Sequence, residues 1–291
     1  MTSRRKLREM LNRGETVVAP GAYDPLGALV IRELGFPATY IGGYMSGAHL
    51  GIIEPVMTLT EQVEVARKVA NAVDLAVICD ADAGFGDPIH VMRCVKLFEE
   101  AGAAAIHIED KVYPERASYF RGLEHIIPLD QFLDKIRFAL QARRDKDFLI
   151  IGRTDAFKAV EGGRDEMVRR GLALKESGVD AIVPRGAYGR EDLAFFRKAV
   201  PGIPLMMWAS GTDISVQEYA KLGYQILCYA MMPILGTVGA VWDNLQSLKE
   251  TGLIPAGSER MRELRDRMEN LIGLPEYYRL EMETTEKGSR E

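Results

Sequence analysis

Two aspartates two residues apart, Asp80 and Asp82, close a short apolar run, and Gly84 and Gly86 follow them in V-I-C-D-A-D-A-G-F-G. Carboxylates at i and i+2 at the end of a buried strand can hold a hard cation or the water around it. Oxygen ligands with several retained waters are what magnesium prefers. A strand-end aspartate can also do no more than cap the next helix. Further charged residues end later apolar runs: Glu109 and Lys111, then Arg153 and Asp155, then Arg185. Ser210 ends another, and an earlier one ends in G-G-Y-M-S-G at 42–47, expected to be a loop in which Gly42 and Gly43 let backbone N–H groups approach an anion. Arg153 can make a forked contact with a carboxylate or phosphonate. Lys111 can donate a proton, touch substrate or pair with an acid. Charged groups at successive strand ends must pair with each other or with ligands, so a purely structural ring of ion pairs is the competing interpretation.

The elements that must position these residues are eight short apolar runs, each followed by a helical pattern. The strands are expected near 16–19, 38–41, 75–79, 103–108, 148–152, 180–183, 204–207 and 224–229. Asp24 with Pro25 and the capping box Thr58 to Glu61 mark two helix starts. The strands read as continuous apolar runs, which means burial on both faces and a parallel sheet wrapped by helices. Eight such units in about 250 residues is the length of a (β/α)8 TIM barrel, whose active sites lie at the C-terminal ends of the strands. The first strand–helix turn carries no G-x-G-x-x-G, which disfavours a doubly wound nucleotide-binding sheet. The expected organisation is a barrel over 1–255 and a helical tail over 256–291. The long connection at 112–128 is expected to be a lid or binding loop.

Composition narrows the function classes. With 291 residues, 47% of them hydrophobic, the chain can bury a sizeable core. A net charge of −5 gives no bulk basic field for nucleic acid or an anionic membrane. The charged N-terminus is not a secretory signal, and no apolar stretch is long enough to span a bilayer. Three scattered cysteines, Cys79, Cys94 and Cys228, argue against a disulfide framework or zinc site and fit a cytoplasmic protein. Among the histidines, His107 reads as core and His90 as surface, while His49 and His125 lie in loops near the expected barrel mouth.

Four motifs in order, P-G-A-Y-D-P-L at 20–26, D-A-D-A-G-F-G at 80–86, A-A-I-H-I-E-D-K at 104–111 and I-I-G-R-T-D-A at 150–156, resemble the phosphoenolpyruvate mutase/isocitrate lyase superfamily, in its 2-methylisocitrate lyase-like branch. The resemblance covers about residues 15–250. It implies Mg²⁺, with Mn²⁺ as a substitute, on Asp80 and Asp82, partly through water, with Glu109 completing the site. It implies substrate binding by Arg153 and by the segment Tyr40, Gly42, Gly43 and Tyr44, and it offers Glu54 as an acidic residue displaced by one position. It further implies a homotetramer in which the last helix swaps onto a neighbouring barrel. The shared chemistry is a metal-stabilised enolate of a 2-oxo acid.

Departures concern the half of the site that selects substrate. The lyases carry K-[KR]-C-G-H after strand four; this chain has Glu115-Arg-Ala-Ser-Tyr119, with Ala117 at the place of the proton-donating cysteine. Ser118 and Tyr119 are the candidate replacements. Pro184-Arg185-Gly186 stands where P-E-A is usual, which exchanges a negative group for a positive one and suggests an extra anionic group on the substrate. The expected activity is therefore a Mg²⁺-dependent carbon–carbon lyase acting on a small 2-hydroxy or 2-oxo dicarboxylate, by retro-aldol cleavage or decarboxylation. Phosphonopyruvate hydrolysis or mutation is the alternative, and a non-catalytic metal- and ligand-binding barrel is a third.

Overall fold

The computed structural model describes residues 1–209 and 213–287. Helix α1 (Ser3–Asn12) precedes β1 (Val17–Pro20), and α2 (Pro25–Glu33) leads to β2 (Ala38–Ile41). Next come α3 (Gly43–Leu50), α4 (Leu59–Ala72), β3 (Ala76–Asp80), α5 (Pro88–Glu100) and β4 (Ala105–Glu109). The alternation continues through α6 (Leu129–Ala142), β5 (Leu149–Thr154), α7 (Arg164–Ser177), β6 (Ala181–Pro184), α8 (Arg190–Ala199), β7 (Met206–Trp208), α9 (Val216–Lys221) and β8 (Ile226–Tyr229). Three helices finish the chain: α10 (Met232–Thr251), α11 (Ser258–Leu271) and α12 (Leu274–Glu283).

All strand pairs among the described residues are parallel. One sheet runs β2-β3-β4-β5-β6 and the other β1-β8-β7. Parallel bridges Gly21 to Tyr40 and Ile182 to Leu205 join the two and close the barrel. Alternation explains why the strands look uniformly apolar. In β3, Ala76 and Ile78 feed the barrel interior, while Val77 and Cys79 feed the layer between barrel and helices. Helix α1 plugs the N-terminal end of the barrel: Leu7 and Leu11 join the interior core, each burial contributing about 1.5–3 kcal/mol. Its basic face is spent locally, with Arg4 on Asp145 at 3.0 Å and Arg8 on Asp180 at 2.9 Å.

Several helix starts follow their sequence signals. Asp24 accepts from the Gly27 N–H, and both halves of the Thr58–Glu61 capping box are made. The segment after β2 departs from expectation, because Gly43–Leu50 is a helix rather than an open anion-binding loop. The 112–128 connection leaves and rejoins the barrel as a zipped excursion. Val112 N–H donates to His125 O at 3.0 Å and Ile127 N–H to Asp110 O at 2.8 Å, and it holds a short 3-10 turn at Ala117–Arg121. Beyond Ile234, α10 turns its apolar residues outward, including Leu235, Val238, Val241, Trp242, Leu245 and Leu248.

Candidate active site

Strand register brings the charged strand ends together. Asp80 pairs in register with His107, and Glu109 with Arg153. Past Asp80 the chain reverses through left-handed residues Asp82 (φ 50°), Gly84 (φ 80°) and Phe85 (φ 57°). Aspartate and glycine tolerate that region better than other residues. Asp80 Oδ1 accepts the Asp82 N–H at 2.9 Å, and Oδ2 lies 3.4 Å from both the Gly43 N–H nitrogen and the Tyr40 hydroxyl. The E-D-K and R-T-D motifs interlock through Asp110, which accepts Thr154 Oγ1–H at 2.6 Å and Asp155 N–H at 2.9 Å.

Tyr40, Gly43, Asp80, Asp82, Glu109 and Arg153 line a cavity of about 1200 Å³ at the C-terminal end of the barrel. Its floor is an ionic lattice. Arg153 places Nε and Nη2 on Asp155 at 2.8 and 3.0 Å and makes a close ion pair with Glu109. The guanidinium lies over the Trp208 ring, 4.8 Å from its centroid. Lys111 Nζ lies 2.6 Å from Glu115, 3.3 Å from Glu109 and 3.9 Å from Asp155. Burial pulls the ammonium of Lys111 down, but Glu109 and Asp155 outweigh it and hold the group well above its ordinary value. In the metal-free cavity Lys111 is therefore held as a cation among carboxylates. Burial likewise opposes ionisation of Asp155, yet Arg153, Lys111 and Arg185 keep it below the usual carboxylate range.

The structure separates the predicted residues. Tyr40, Gly42, Gly43, Tyr44, Asp80, Asp82, Glu109, Lys111, Arg153 and Arg185 all line the cavity. Ser118 and Tyr119 do not: the Tyr119 hydroxyl turns back to Val112 O at 3.3 Å, and its ring lies under Lys111. The same loop presents Glu115 and Phe120 to the cavity instead, with Phe120 against Tyr44 at 5.4 Å between ring centroids. Tyr40 donates or accepts a 3.0 Å bond with His107 Nε2 beneath Asp80. His125 pairs with Glu161, His90 with Asp87, and His49 packs near Tyr23, none of them on the cavity wall. Ser210 lies outside the described residues. Glu115, Glu124 and Trp208 were missed as site groups. Trp208 ends β7 and the strand-end rule could have selected it; the two glutamates lie in an irregular loop with no periodic signal.

The donor set fits a hydrated divalent cation. Glu54, Asp80, Asp82, Glu109 and Glu115 face Lys111, Arg153 and Arg185 across the cavity. Burial, then Asp80 and Glu115, holds Glu54 well above its usual value, and burial, then Glu115, raises Asp82 to about 7. Such carboxylates need a further positive charge to ionise together. Among the described residues no three His, Cys, Asp or Glu side chains converge as a dehydrated ion would require. One or two carboxylates with water and substrate is the habit of Mg²⁺, and Glu109 is already engaged by Arg153 and Lys111.

A pH dependence follows. The folded-state value of Asp82 is raised from 3.8 to about 7. Its contribution to the metal-free fold is thus full below about pH 4 and lost as pH rises through 7. Mg²⁺ bound at Asp82 would have to displace that proton, so its affinity should fall at least about tenfold per pH unit below 7, with about one proton released per ion at pH 6 from Asp82 and a further one where Glu54 ionises with it. Calorimetry at pH 6 and 8 in buffers of different ionisation enthalpy measures both; equal affinities would remove Asp82 from the metal site.

The start of α3 makes a second prediction. Gly42 caps it without a side-chain bond, and Gly43 and Tyr44 at the positive end of the helix line the cavity, the Gly43 N–H directed at Asp80 Oδ2. A Cβ on Gly43 would stand 2.0 Å from Glu54 Oε1. Gly43→Ala should therefore push Glu54 aside and weaken oxalate binding about tenfold by calorimetry; unchanged affinity would exclude this helix end from the anion site.

Comparison with known proteins agrees with this geometry. The family model described as phosphoenolpyruvate phosphomutase matches residues 7–249. The 2,3-dimethylmalate lyase of Eubacterium barkeri is 38% identical over 254 residues, 86% of this chain and 87% of that protein. Among solved structures, oxaloacetate acetylhydrolase with the inhibitor 3,3-difluorooxalacetate superposes with a TM-score of 0.88 at 28% identity, covering 98% of each chain. Phosphonopyruvate hydrolase in complex with oxalate and Mg²⁺ gives a TM-score of 0.83 at 28% identity over 98% of this chain and 99% of that one.

Proposed function

The chain belongs to the phosphoenolpyruvate phosphomutase family, and on that premise we propose that it is a Mg²⁺-dependent lyase that breaks a carbon–carbon bond in a small 2-hydroxy or 2-oxo dicarboxylate. The observation that carries this is Arg153, buried at the end of β5, aimed into a cavity beside Asp80 and Glu109. Asp80 and Asp82 would hold the cation, with Glu54 and Glu109 on its water. When bound, the ion would supply Lewis-acid polarisation of the substrate's 2-oxo or 2-hydroxy oxygen.

The chain's own groups do the rest. Arg153 and the N–H groups at the start of α3 orient the substrate carboxylate. Lys111, held as an ammonium, adds positive potential. Ala117 supplies no thiol, and Ser118 and Tyr119 lie off the cavity, so the product carbon takes its proton from water. That requirement favours cleavages in which protonation can follow the bond-breaking step, such as decarboxylation. The outward apolar residues of α10 to α12 support assembly with further copies of this chain, read here as a homotetramer with exchanged C-terminal helices over about 256–291. Three buried free cysteines support a reducing, cytoplasmic setting. No helix among the described residues is long and apolar enough to cross a membrane.

The deciding experiment measures pyruvate release, coupled to NADH oxidation, with Mg²⁺ and with EDTA. The acids tested are oxaloacetate, 2-methylisocitrate, 2,3-dimethylmalate, citramalate and phosphonopyruvate. EDTA-sensitive turnover of a dicarboxylate is expected. Phosphate release from phosphonopyruvate alone would move the assignment to phosphonate chemistry. No turnover, with a melting temperature still raised by Mg²⁺ and oxalate, would leave a binding barrel.

A further inference from the structure

Arg185 directly follows β6 and lines the cavity. Its bonds to the protein are unevenly distributed. Nη1 alone makes three, to Glu124 Oε1 at 2.7 Å, Glu124 Oε2 at 2.8 Å and Asp155 Oδ1 at 2.8 Å. Nε and Nη2 make none among the described residues, and neither is sealed from solvent. A guanidinium presents Nε–H and one Nη2–H as a parallel pair that matches the two oxygens of a carboxylate. Arg153 shows this edge in use on Asp155, at 2.8 and 3.0 Å. On Arg185 the same edge is open. The two guanidiniums also share one acceptor, Asp155 Oδ1, so the open edge of Arg185 lies beside the Arg153 and Glu109 floor of the same cavity.

We propose that Arg185 is the specificity-determining residue that receives the substrate's second carboxylate on its Nε–Nη2 edge, while Glu124 and Asp155 hold the side chain in place through Nη1. This rests on the lyase reading of the cavity. It explains why a cation can replace an acidic residue at the end of β6 without repelling Arg153: Asp155 and Glu124 neutralise the pair. It also assigns the lid-loop glutamate a positioning role. Glu124 is buried at 3% exposure and fixes the loop to the rim of the barrel through Arg185.

Two probes separate the functions of the cavity. Oxalate carries only the chelating end of a 2-oxo acid, and 3,3-difluorooxalacetate adds a distal carboxylate. Calorimetry in Mg²⁺ on the full-length protein gives both affinities. Arg185→Met should weaken 3,3-difluorooxalacetate about 30- to 100-fold and oxalate no more than about twofold, the difference expected for a desolvated bidentate ion pair. Arg185→Lys keeps a charge without the fork and should recover only part of the loss; it also serves if the methionine variant folds poorly. Glu124→Gln should leave the discrimination between the two probes largely in place. Equal weakening of both probes, no weakening of either, or a Glu124→Gln variant that reproduces the full selective loss would overturn the assignment to Arg185 while leaving oxalate binding, and with it the lyase reading, intact in the wild type. Failure of the wild type to bind oxalate with Mg²⁺ would instead overturn that reading and this inference together.

Discussion

Asp80→Ala should lower kcat/KM about 10³-fold or more and abolish the response to Mg²⁺ at the same time. Burial alone would keep this carboxyl protonated. Arg153 and the backbone N–H groups of Asp82 and Gly43 overcome that and hold it below its ordinary value, with His107 beside it pulled down by burial to about 4, while Asp82 and Glu54 are held above theirs. Asp80 is thus the carboxylate already ionised when a cation arrives, and its neighbours ionise as the ion settles. Alanine removes that anchor and leaves Asp82 and Glu54 able to stay neutral. The fold should survive, because Arg153 keeps Asp155 and Glu109 as partners. Two readouts check this: turnover of the best acid in the panel, and the rise in melting temperature on adding Mg²⁺. A variant that still turns over and still loses activity to EDTA would place the ion elsewhere.

Arg153→Ala has a larger expected effect on the protein as a whole. From sequence, the loss is confined to substrate binding. The structure adds a stability cost, because Arg153 keeps only 7% of its side chain open and serves Asp155, Glu109 and Asp80 together. Removing one partner from a buried ionic cluster costs about 3–5 kcal/mol through the charges left behind. For a domain of this size that is a fall in Tm on the order of 10 °C. Turnover should fall about 10³-fold as well. Arg153→Lys separates the two roles. It restores the charge and most of the Tm, but not the fork or the stacking over Trp208, so KM should stay raised about 100-fold. An unchanged KM in the lysine variant would show that Arg153 supports the floor without touching substrate.

The barrel and half of the site are legible in the linear chain for a local reason. Continuous apolar runs of four to six residues report burial on two faces, and a charged residue that ends such a run must lie where the strand leaves the core. That logic places Asp80, Glu109, Lys111, Arg153 and Arg185 at one end of the barrel before any contact is known. Motif resemblance names the family, and the family match bears that out; the magnesium and the enolate are what the resemblance implies. Local signals also mark Asp24 and Thr58 as helix caps, since a cap and its N–H lie three residues apart.

What only the tertiary structure decided is which of these charges are free. The G-G-Y-M-S-G stretch reads as a loop because glycine carries little helix propensity, yet packing around Glu54 makes it the start of α3. Ser118 and Tyr119 stand at the right distance along the chain from Glu109, but the 3-10 turn at Ala117–Arg121 rotates them away and presents Glu115 and Phe120. Arg185 and Glu124 are 61 residues apart in sequence, and no periodicity connects them. Their pairing depends on how the lid loop crosses the mouth of the barrel, which leaves one nitrogen of Arg185 bound and its other edge open. Strand ends are set by local burial; the partners across the cavity are set by loops whose path is fixed only when the whole barrel has closed.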